Sequence, residues 1–350
     1  MSKTKKIIRA FIAVVIVAGI LFLLQKLLMP KYKTGVLEGS LVAEYYEEEN
    51  KEFDVIFVGD CEVYENFSPA KFWSEYGINS YIRGSAQQYI FQSYYLLEDT
   101  LRYYTPKVVV FNIQSLQYNE SQSEPYNRMT IDGMKWSKAK VGAIKASMTE
   151  DESFVDYVFP ILRYHSRWSE LTSDDLKYMF KTVKNSYNGY YMRVDSKPAE
   201  NIPDGMPLTD YSFGENAWSY LDKMRELCEE NGIQLVMIKA PSLYPYWYEE
   251  WDAQVTEYSE KYDIPYINFL NYKEEIGLDY SKDTYDAGLH LNLTGAEKMS
   301  VYFGKILRDE YDVPDRRDDK ELSAIWENDL KLYEAEIERQ CEYYNVELTR

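Results

Sequence analysis

The chain has 350 residues, of which 45% are hydrophobic and 28% charged, so it is long enough for one or two folded domains and is not a disordered protein. Its net charge of −19 argues against a nucleic-acid partner, because binding to phosphates requires a basic surface. The three cysteines, Cys61, Cys228 and Cys341, are too few for a disulfide scaffold or a four-cysteine zinc site. We predict neither a metal nor a cofactor.

The N-terminal segment differs from the rest of the chain in charge and hydrophobicity. Residues 1–33 carry seven basic side chains and no acidic one, which leaves a net charge of −26 on the remainder. Residues 7–29 are apolar enough and long enough to cross a bilayer. A cleaved signal peptide is the alternative, but no small-x-small cleavage site follows the apolar run. We therefore predict that residues 1–30 form a cytoplasmic stub and a membrane anchor, with the lipid bilayer as a partner.

The charges around this segment also predict its orientation. Four basic residues lie among the first nine, at the N-terminal end of the span, which favours a cytoplasmic N-terminus and an extracytoplasmic body, hence a single-pass protein of the cell membrane. Residues 31–50 are predicted to be a juxtamembrane connector with a short acidic helix.

The body, residues 51–315, alternates β-type and helical patterns. The first, third and fourth β-type runs are nearly continuous in apolar residues, as are strands buried on both faces. Strands that alternate with helices predict a parallel sheet covered by helices on both faces. The predicted strands are Phe53–Val58, Ile78–Ile82, Lys107–Ile113, Ile233–Lys239 and Ile264–Leu270, and the helices around them are Gln87–Tyr104, Glu215–Glu230, Glu249–Tyr262 and Thr294–Tyr311.

About a hundred residues, 115–214, separate the third and fourth strands, which is far more than an ordinary crossover needs. We predict a helical insertion here, with helices over Asp132–Ser147, Glu152–Leu162 and Ser173–Lys184. Residues 316–350 are predicted to form a C-terminal acidic helix that packs through an apolar stripe.

Cys61 is a candidate nucleophile. The first strand runs into Gly59-Asp60-Cys61-Glu62, and open α/β sheets bind ligands at the carboxyl ends of their strands. A helix that begins at this point is expected to lower the pKa of the Cys61 thiol. The alternative is a buried structural cysteine, which is our interpretation of Cys228 and Cys341.

His290 is a candidate general base. It is one of two histidines and lies between the last strand and the last helix, at the same edge of the sheet as Cys61. Asp283 and Asp286 precede it, and either carboxylate could fix the imidazole tautomer and stabilise the imidazolium. A solvent-exposed histidine is the alternative.

Together these features resemble the SGNH/GDSL hydrolase superfamily. Gly59-Asp60-Cys61 is similar to the family's Gly-Asp-Ser block, with Cys61 at the position of the nucleophilic serine. Asp286 and His290 resemble the Asp-x-x-His block, with one additional residue between them. The resemblance implies that Gly84 and Asn112, at the ends of the second and third strands, form the oxyanion hole. The resemblance covers roughly residues 52–310. Within the superfamily, the chain most resembles membrane-anchored SGNH proteins of Gram-positive bacteria, which are related to the SGNH proteins of lipoteichoic-acid D-alanylation and alginate O-acetylation.

The resemblance implies a flavodoxin-like three-layer sandwich with a five-stranded parallel sheet. It also implies an acyl-ester hydrolase or O-acyltransferase that acts on a cell-envelope glycan or polymer through Cys61, His290 and Asp286, with a multi-span membrane O-acyltransferase as a further partner. Cysteine–histidine pairs perform acyl transfer on other folds. Two alternatives remain open: a diverged module that binds an envelope polymer or a membrane acyltransferase without turnover, and a purely structural anchored protein.

Two segments are weaker candidates for substrate recognition. His165 and Arg167 lie among aromatic residues of the insertion and could bind an anionic or sugar group near the active site. The aromatic residues of 241–251 could stack on sugars, although packing is the commoner role of such side chains.

Overall fold

The computed structural model describes residues 3–30, 39–180, 184–202 and 204–348. Its centre is a sheet of five parallel strands in the order β2-β1-β3-β4-β5. This flavodoxin-like order confirms the predicted fold class, and each strand overlaps a predicted run. The strands are β1 Val55–Gly59, β2 Ser80–Gly84, β3 Val108–Asn112, β4 Gln234–Lys239 and β5 Tyr266–Asn268.

The helices of the described residues precede, connect and follow these strands. They are α1 Lys3–Leu28, α2 Ser40–Glu44, α3 Cys61–Tyr64, α4 Pro69–Tyr76, α5 Ile90–Thr100, α6 Glu124–Ile131, α7 Lys138–Ser147, α8 Phe154–Val158, α9 Ile161–Tyr164, α10 Ser173–Lys177, α11 Glu215–Glu230, α12 Glu249–Tyr262, α13 Lys273–Ile276, α14 Leu293–Tyr311 and α15 Lys320–Tyr344. Short 3₁₀ helices span Tyr45–Glu47, Ile113–Gln117, His165–Ser169 and Phe269–Tyr272.

Side chains of each strand alternate between two cores, one on each face of the sheet. Phe57 of β1 stacks on Phe72 of α4, with ring centroids 5.5 Å apart, in the core that also contains residues of α14 and α15. Its neighbours Ile56 and Val58 lie in the opposite core, with residues of α5, α11 and α12. The sheet is therefore covered on both faces, which explains why its central strands are nearly continuous apolar runs.

The C-terminal helix α15 is an integral part of the first core. Trp326 stacks on Trp73 of α4 with ring centroids 5.1 Å apart, and its Nε1 donates a hydrogen bond to Asn79 Oδ1 at 3.0 Å. Tyr333 and Ile337 are buried on the same stripe. The predicted apolar face of this helix thus packs against the sheet domain.

The first predicted helix of the insertion, Asp132–Ser147, starts later than predicted, because α6 ends at Ile131 and α7 begins only at Lys138. Between them the backbone of Gly133 lies against Gly39, and a Cβ on Gly133 would lie 2.2 Å from the Gly39 oxygen. This close approach of two backbone segments interrupts the helix and depends on contacts distant in sequence.

The other two insertion helices are shorter than predicted. Pro160 separates α8 from α9 inside the predicted helix Glu152–Leu162, because a proline in a helix interior removes a backbone donor. Of the predicted helix Ser173–Lys184, α10 covers the first five residues, and residues 181–183 lie outside the described part of the chain.

The predicted connector is in part docked onto the body. Its residues 31–38 lie outside the described ranges, whereas Leu41 and Tyr45 are buried in the two cores. Glu44 is also buried and accepts hydrogen bonds from the side chain and backbone of Ser186. Burial raises the pKa of Glu44 to about 7.

Residues 185–199, which we call the return segment, bring the chain back from the insertion past the outer strand β2. The Ile82 N–H of β2 donates to the Asn188 oxygen at 3.0 Å, and the Tyr191 N–H donates to the Tyr64 oxygen of α3 at 2.8 Å. Further along, the Leu293 N–H donates to the Arg193 oxygen at 2.6 Å. The return segment therefore links β2, α3 and the start of α14.

We predict that Trp326→Ala destabilises the protein by about 3–5 kcal/mol, because it removes a stacked, buried aromatic side chain and leaves a cavity. Exposed Leu332 of the same helix provides the control, and Leu332→Ala should change the free energy of unfolding by less than about 0.5 kcal/mol. Urea unfolding of the full chain in detergent measures both. Equal effects of the two substitutions would show that α15 is not anchored through Trp326.

Candidate active site

The predicted site residues lie where parallel strands end. Cys61 is the first residue of α3, directly after β1, and Asp60 caps that helix by accepting the Glu62 N–H at 3.2 Å. Gly84 ends β2 and Asn112 ends β3. Because the strands are parallel, all three positions lie at one edge of the sheet.

His290 is held by Asp286 through two hydrogen bonds. The imidazole Nδ1 lies 2.6 Å from Asp286 Oδ2, and the His290 backbone N–H donates to Asp286 Oδ1 at 2.8 Å. The alternative carboxylate, Asp283, binds Lys298 Nζ at 2.6 Å and accepts from Thr294 Oγ1 at 2.9 Å instead. Of the two predicted candidates, Asp286 is thus the one in contact with the imidazole.

Cys61 and His290 lie close enough to alter each other's pKa through charge and hydrogen bonding. Since Asp286 engages Nδ1, the nitrogen that faces the thiol is Nε2. This atom is buried and makes no hydrogen bond of standard geometry with any described residue. The arrangement leaves Nε2 ready to exchange a proton with the Cys61 sulfur.

The pKa of the Cys61 thiol is raised to about 11, which corrects the expectation that the start of a helix lowers it. Burial is the largest cause, and the nearby carboxylates Asp60 and Glu65 add to it, whereas His290 opposes it. The helix that begins at Cys61 has only four residues, so its dipole is short. At neutral pH the thiol is therefore protonated.

The pKa of His290 is raised well above its usual value. Burial would lower it, but the charge of Glu65, the neighbouring Cys61 and the hydrogen bond to Asp286 together outweigh burial. The raised pKa values of both groups therefore favour the protonated thiol and the protonated imidazole.

Glu65 is a site residue that the sequence analysis missed. Its side chain is buried, and its Oε1 lies 3.7 Å from His290 Nδ1. The only sequence signal was its spacing, since Glu65 follows Cys61 by four residues and a helix brings such positions to one face. No group of three or more histidine, cysteine or acidic side chains suited to a metal ion occurs among the described residues.

Tyr285 and Arg193 form a second layer behind the imidazole. The Tyr285 ring stacks on His290 with centroids 6.1 Å apart, and its hydroxyl donates a hydrogen bond to Glu65. The guanidinium of Arg193, from the return segment, lies 4.4 Å above the Tyr285 ring. Arg193 also binds Asp195, with 2.8 Å between Nη2 and Oδ2. Sequence patterns gave no indication that the insertion would contribute to this layer.

Asn112 is buried within a cluster of charges below Cys61. Its Nδ2 donates to Asp60 Oδ1 at 3.1 Å and to Glu62 Oε2 at 3.0 Å, so both amide hydrogens have carboxylate acceptors. Glu62 also pairs with buried Lys239 at 2.8 Å. An oxyanion role for Asn112 stays a prediction, and it requires one of these hydrogen bonds to be released.

Gly84 lies beside Gly59 in the register of β1 and β2. A Cβ at position 84 would come within 3.2 Å of both the Gly59 oxygen and the Tyr64 ring, so this strand end fits a residue without a side chain. Its predicted contribution to an oxyanion hole also stays a prediction.

Asn66 fixes the backbone that carries His290. Its Oδ1 accepts the Leu291 N–H at 2.8 Å, and its Nδ2 donates to Ser242 Oγ at 2.9 Å. On the other side of the loop, Thr284 Oγ1 donates to the His290 carbonyl oxygen at 2.7 Å. These contacts set the position of the imidazole relative to Cys61, and sequence spacing did not reveal them.

Among the described residues, the weaker candidates form hydrogen bonds and ion pairs with partners other than Cys61 or His290. His165 is exposed, with its Nδ1 2.7 Å from the Leu162 oxygen, while Arg167 donates to the Leu28 oxygen of α1 and binds Asp175 at 3.3 Å. This part of the insertion packs against α1, and a substrate-binding role for His165 and Arg167 stays a prediction. In the aromatic segment, Trp247 and Trp251 are buried in the core around Phe213, which agrees with packing.

No protein-family model matches the chain, and neither does any curated protein. Among solved structures, one described as a "putative acylhydrolase" from Bacteroides fragilis is 13% identical, with a TM-score of 0.37, covering 77% of this chain and 95% of its own. A GDSL-like lipase from Bacteroides thetaiotaomicron is 12% identical, with a TM-score of 0.33, covering 76% and 98% respectively. Because these sequence identities and TM-scores are low, they carry no argument about function, which rests on the geometry of the site.

Asp60 yields a prediction about stability. Burial, followed by the Glu62 charge, raises the pKa of Asp60 from 3.8 to about 7, so folding favours the protonated form. The stability that protonated Asp60 contributes is fully present below about pH 4 and is lost as the pH rises to about 7. Asp60→Asn keeps the Oδ1 acceptor for Asn112 and Glu62 and carries no charge. We expect this variant to gain stability over the natural chain across that pH range, by up to about 4 kcal/mol.

Urea unfolding at pH 4, 5.5, 7 and 8 measures the difference. Exposed Asp204→Asn is the control and should give no such trend. A stability difference that is independent of pH would contradict the protonation of Asp60 in the folded state.

Proposed function

We propose that this protein is an acyl-ester hydrolase or O-acyltransferase in which Cys61 is the nucleophile, His290 the base and Asp286 the residue that orients the base. The observation that supports this most directly is the 2.6 Å contact of Asp286 with His290 Nδ1, which directs the otherwise unpartnered Nε2 to Cys61. A nucleophile, a base and an orienting carboxylate in this relation are what acyl transfer requires.

The reaction starts from the form of the pair that has lost one proton. The Cys61 proton passes to His290 Nε2 while the sulfur bonds to the carbonyl carbon of the ester. The carbon–oxygen bond to the leaving alcohol then breaks, and the alcohol takes the proton from His290. Next, water or a sugar hydroxyl gives its proton to His290 and attacks the thioester. The carbon–sulfur bond breaks, and the proton returns to Cys61.

The carbonyl oxygen needs hydrogen-bond donors while it carries negative charge. The backbone N–H of Cys61 stands at the start of α3, where helical N–H groups have no partner within the helix. The Gly84 backbone lies at the neighbouring strand end. We propose these two groups as the oxyanion hole, with the Asn112 amide joining only if it releases Asp60 or Glu62.

We further propose that α1 anchors the protein in the cell membrane, with the N-terminus cytoplasmic and the body outside. α1 is long enough to cross a bilayer, and its most apolar window of 18 residues has a mean hydropathy of 2.9, although a signal sequence meets the same criterion. The substrate would then be an ester of a cell-envelope glycan or polymer. Because the body is strongly acidic, a neutral glycan, a lipid-linked donor or a multi-span acyltransferase that delivers the acyl group fits better than a polyanion.

A second candidate function is an acyl- or glycan-binding module without turnover. It is favoured by the raised pKa of the Cys61 thiol and by the engagement of both Asn112 amide hydrogens. The two candidates differ in whether Cys61 forms a covalent acyl adduct.

The deciding experiment is the intact mass of the full chain in detergent after exposure to p-nitrophenyl acetate. We expect one acetyl group on Cys61, none in Cys61→Ala, and formation slowed at least about a hundredfold in His290→Ala. Loss of the adduct in water identifies a hydrolase, and loss only with an added sugar identifies a transferase. An unmodified protein, or equal labelling of Cys61, Cys228 and Cys341, would contradict the catalytic proposal and favour the binding module.

Asp286→Asn should reduce the rate of Cys61 acetylation by roughly 10²–10⁴-fold, because an amide holds the imidazole tautomer less well and does not stabilise the imidazolium. Asp283→Asn is the matched control and should change the rate less than threefold or so, since Asp283 binds Lys298 rather than His290. Stopped-flow or quenched-mass kinetics compares the two variants. A larger loss in Asp283→Asn would reassign the orienting carboxylate.

Glu65→Gln tests the charge next to His290. The rate of acetylation should rise with pH as the Cys61–His290 pair loses its proton, and the midpoint should lie above pH 7, because the pKa values of both groups are raised. Removing the Glu65 charge lowers the pKa of His290, so this midpoint should move to lower pH by about one unit. An unchanged midpoint would show that Glu65 has only a structural role.

A further inference from the structure

A cluster of exposed apolar side chains lies on the helical part of the insertion. Trp168 is 72% exposed and Phe180 is 69% exposed, and all members of the cluster are on or next to α8, α9, the 3₁₀ helix after it and α10. We call this cluster the apolar rim. Its residues are Val155, Phe159, Leu162, Trp168, Leu176 and Phe180. A soluble surface rarely exposes so many large apolar side chains within a short stretch of chain.

The same elements hold the C-terminal end of α1. α9, the 3₁₀ helix and α10 contact α1, and Arg167 donates a hydrogen bond to the Leu28 oxygen in its last turn. Leu28 is buried, whereas the apolar side chains of α1 between Ile7 and Leu24 are exposed. The rim is therefore attached at the point where the exposed apolar part of α1 ends.

The composition of the rim fits the boundary between lipid and water. Tryptophan and other aromatic side chains prefer this boundary, and long basic side chains extend from it towards the headgroups. Arg163 and Lys177 lie on α9 and α10, within the same stretch. Glu170 and Asp174 are exposed there as well, which excludes deep burial and limits the contact to the shallow interfacial layer.

We propose that the apolar rim is a second membrane contact, which inserts into the interfacial layer of the bilayer around the emerging end of α1. This inference rests on the proposed role of α1 as an anchor. The body carries excess negative charge, so the contact is apolar and forms on zwitterionic lipid. Two attachments, α1 and the rim, fix the tilt of the body, whereas one helix alone would leave it free to rotate on the membrane.

The test uses the full chain reconstituted in phosphatidylcholine vesicles, with and without lipids brominated near the glycerol end of the acyl chain. The fluorescence of Trp168 is taken as the difference between the natural chain and Trp168→Phe. We expect the brominated lipid to quench this difference signal strongly. Trp218, which is partly exposed on α11, provides the matched control through Trp218→Phe, and its difference signal should be unaffected.

Triple substitution of Phe159, Leu176 and Phe180 by serine should weaken the quenching of Trp168 without releasing the chain from the vesicles. Because these side chains are exposed, the variant should unfold at the same urea concentration as the natural chain.

Flotation of the vesicles separates the possible failures. A chain that floats while its Trp168 signal is unquenched overturns the rim contact but leaves α1 as an anchor. A chain that does not float overturns both the anchor and the rim contact, and acetylation of Cys61 is measured independently of either result. Equal quenching of Trp168 and Trp218 would also contradict the proposal, since it would indicate nonspecific adsorption.

Discussion

The burial of the sheet on both faces is the constraint on which the rest of this structure depends. Because helices cover both faces, the strands are mostly apolar, and the polar side chains of the candidate site lie at or just after the strand ends. Parallel pairing of β1 with β2 and β3 then brings those ends to one edge. Cys61, Gly84 and Asn112 share this edge for that reason, although they lie far apart along the chain.

The chemistry at this edge is governed by an excess of buried carboxylates. Asp60, Glu62 and Glu65 surround Cys61, and Lys239, His290 and Arg193 offset part of their charge. The nearby negative charges disfavour the loss of a proton, which raises the pKa of the thiol and that of the imidazole. In the proposed reaction, Cys61 is therefore activated by His290 at the moment of attack and does not rest as a thiolate.

The long insertion has two parts with different roles. The return segment, residues 185–199, borders the site and contributes Arg193 to the layer behind Tyr285 and His290. The helical part packs against the end of α1 and carries the apolar rim. One continuous stretch of chain thus links the layer behind His290 to the C-terminal end of α1.

The sequence by itself determined the elements whose signals are local. The apolar span, the continuous strands and the stripe of α15 follow from hydrophobic pattern, and Cys61 and His290 follow from their places after strands. The tertiary structure alone decided between Asp286 and Asp283, introduced Glu65 as a second carboxylate, engaged the Asn112 amide and placed Arg167 at α1. These outcomes depend on which side chains meet across distant segments and on how far burial outweighs charge. Neither the contacts between distant segments nor the balance of burial and charge can be read from the spacing of residues along the chain.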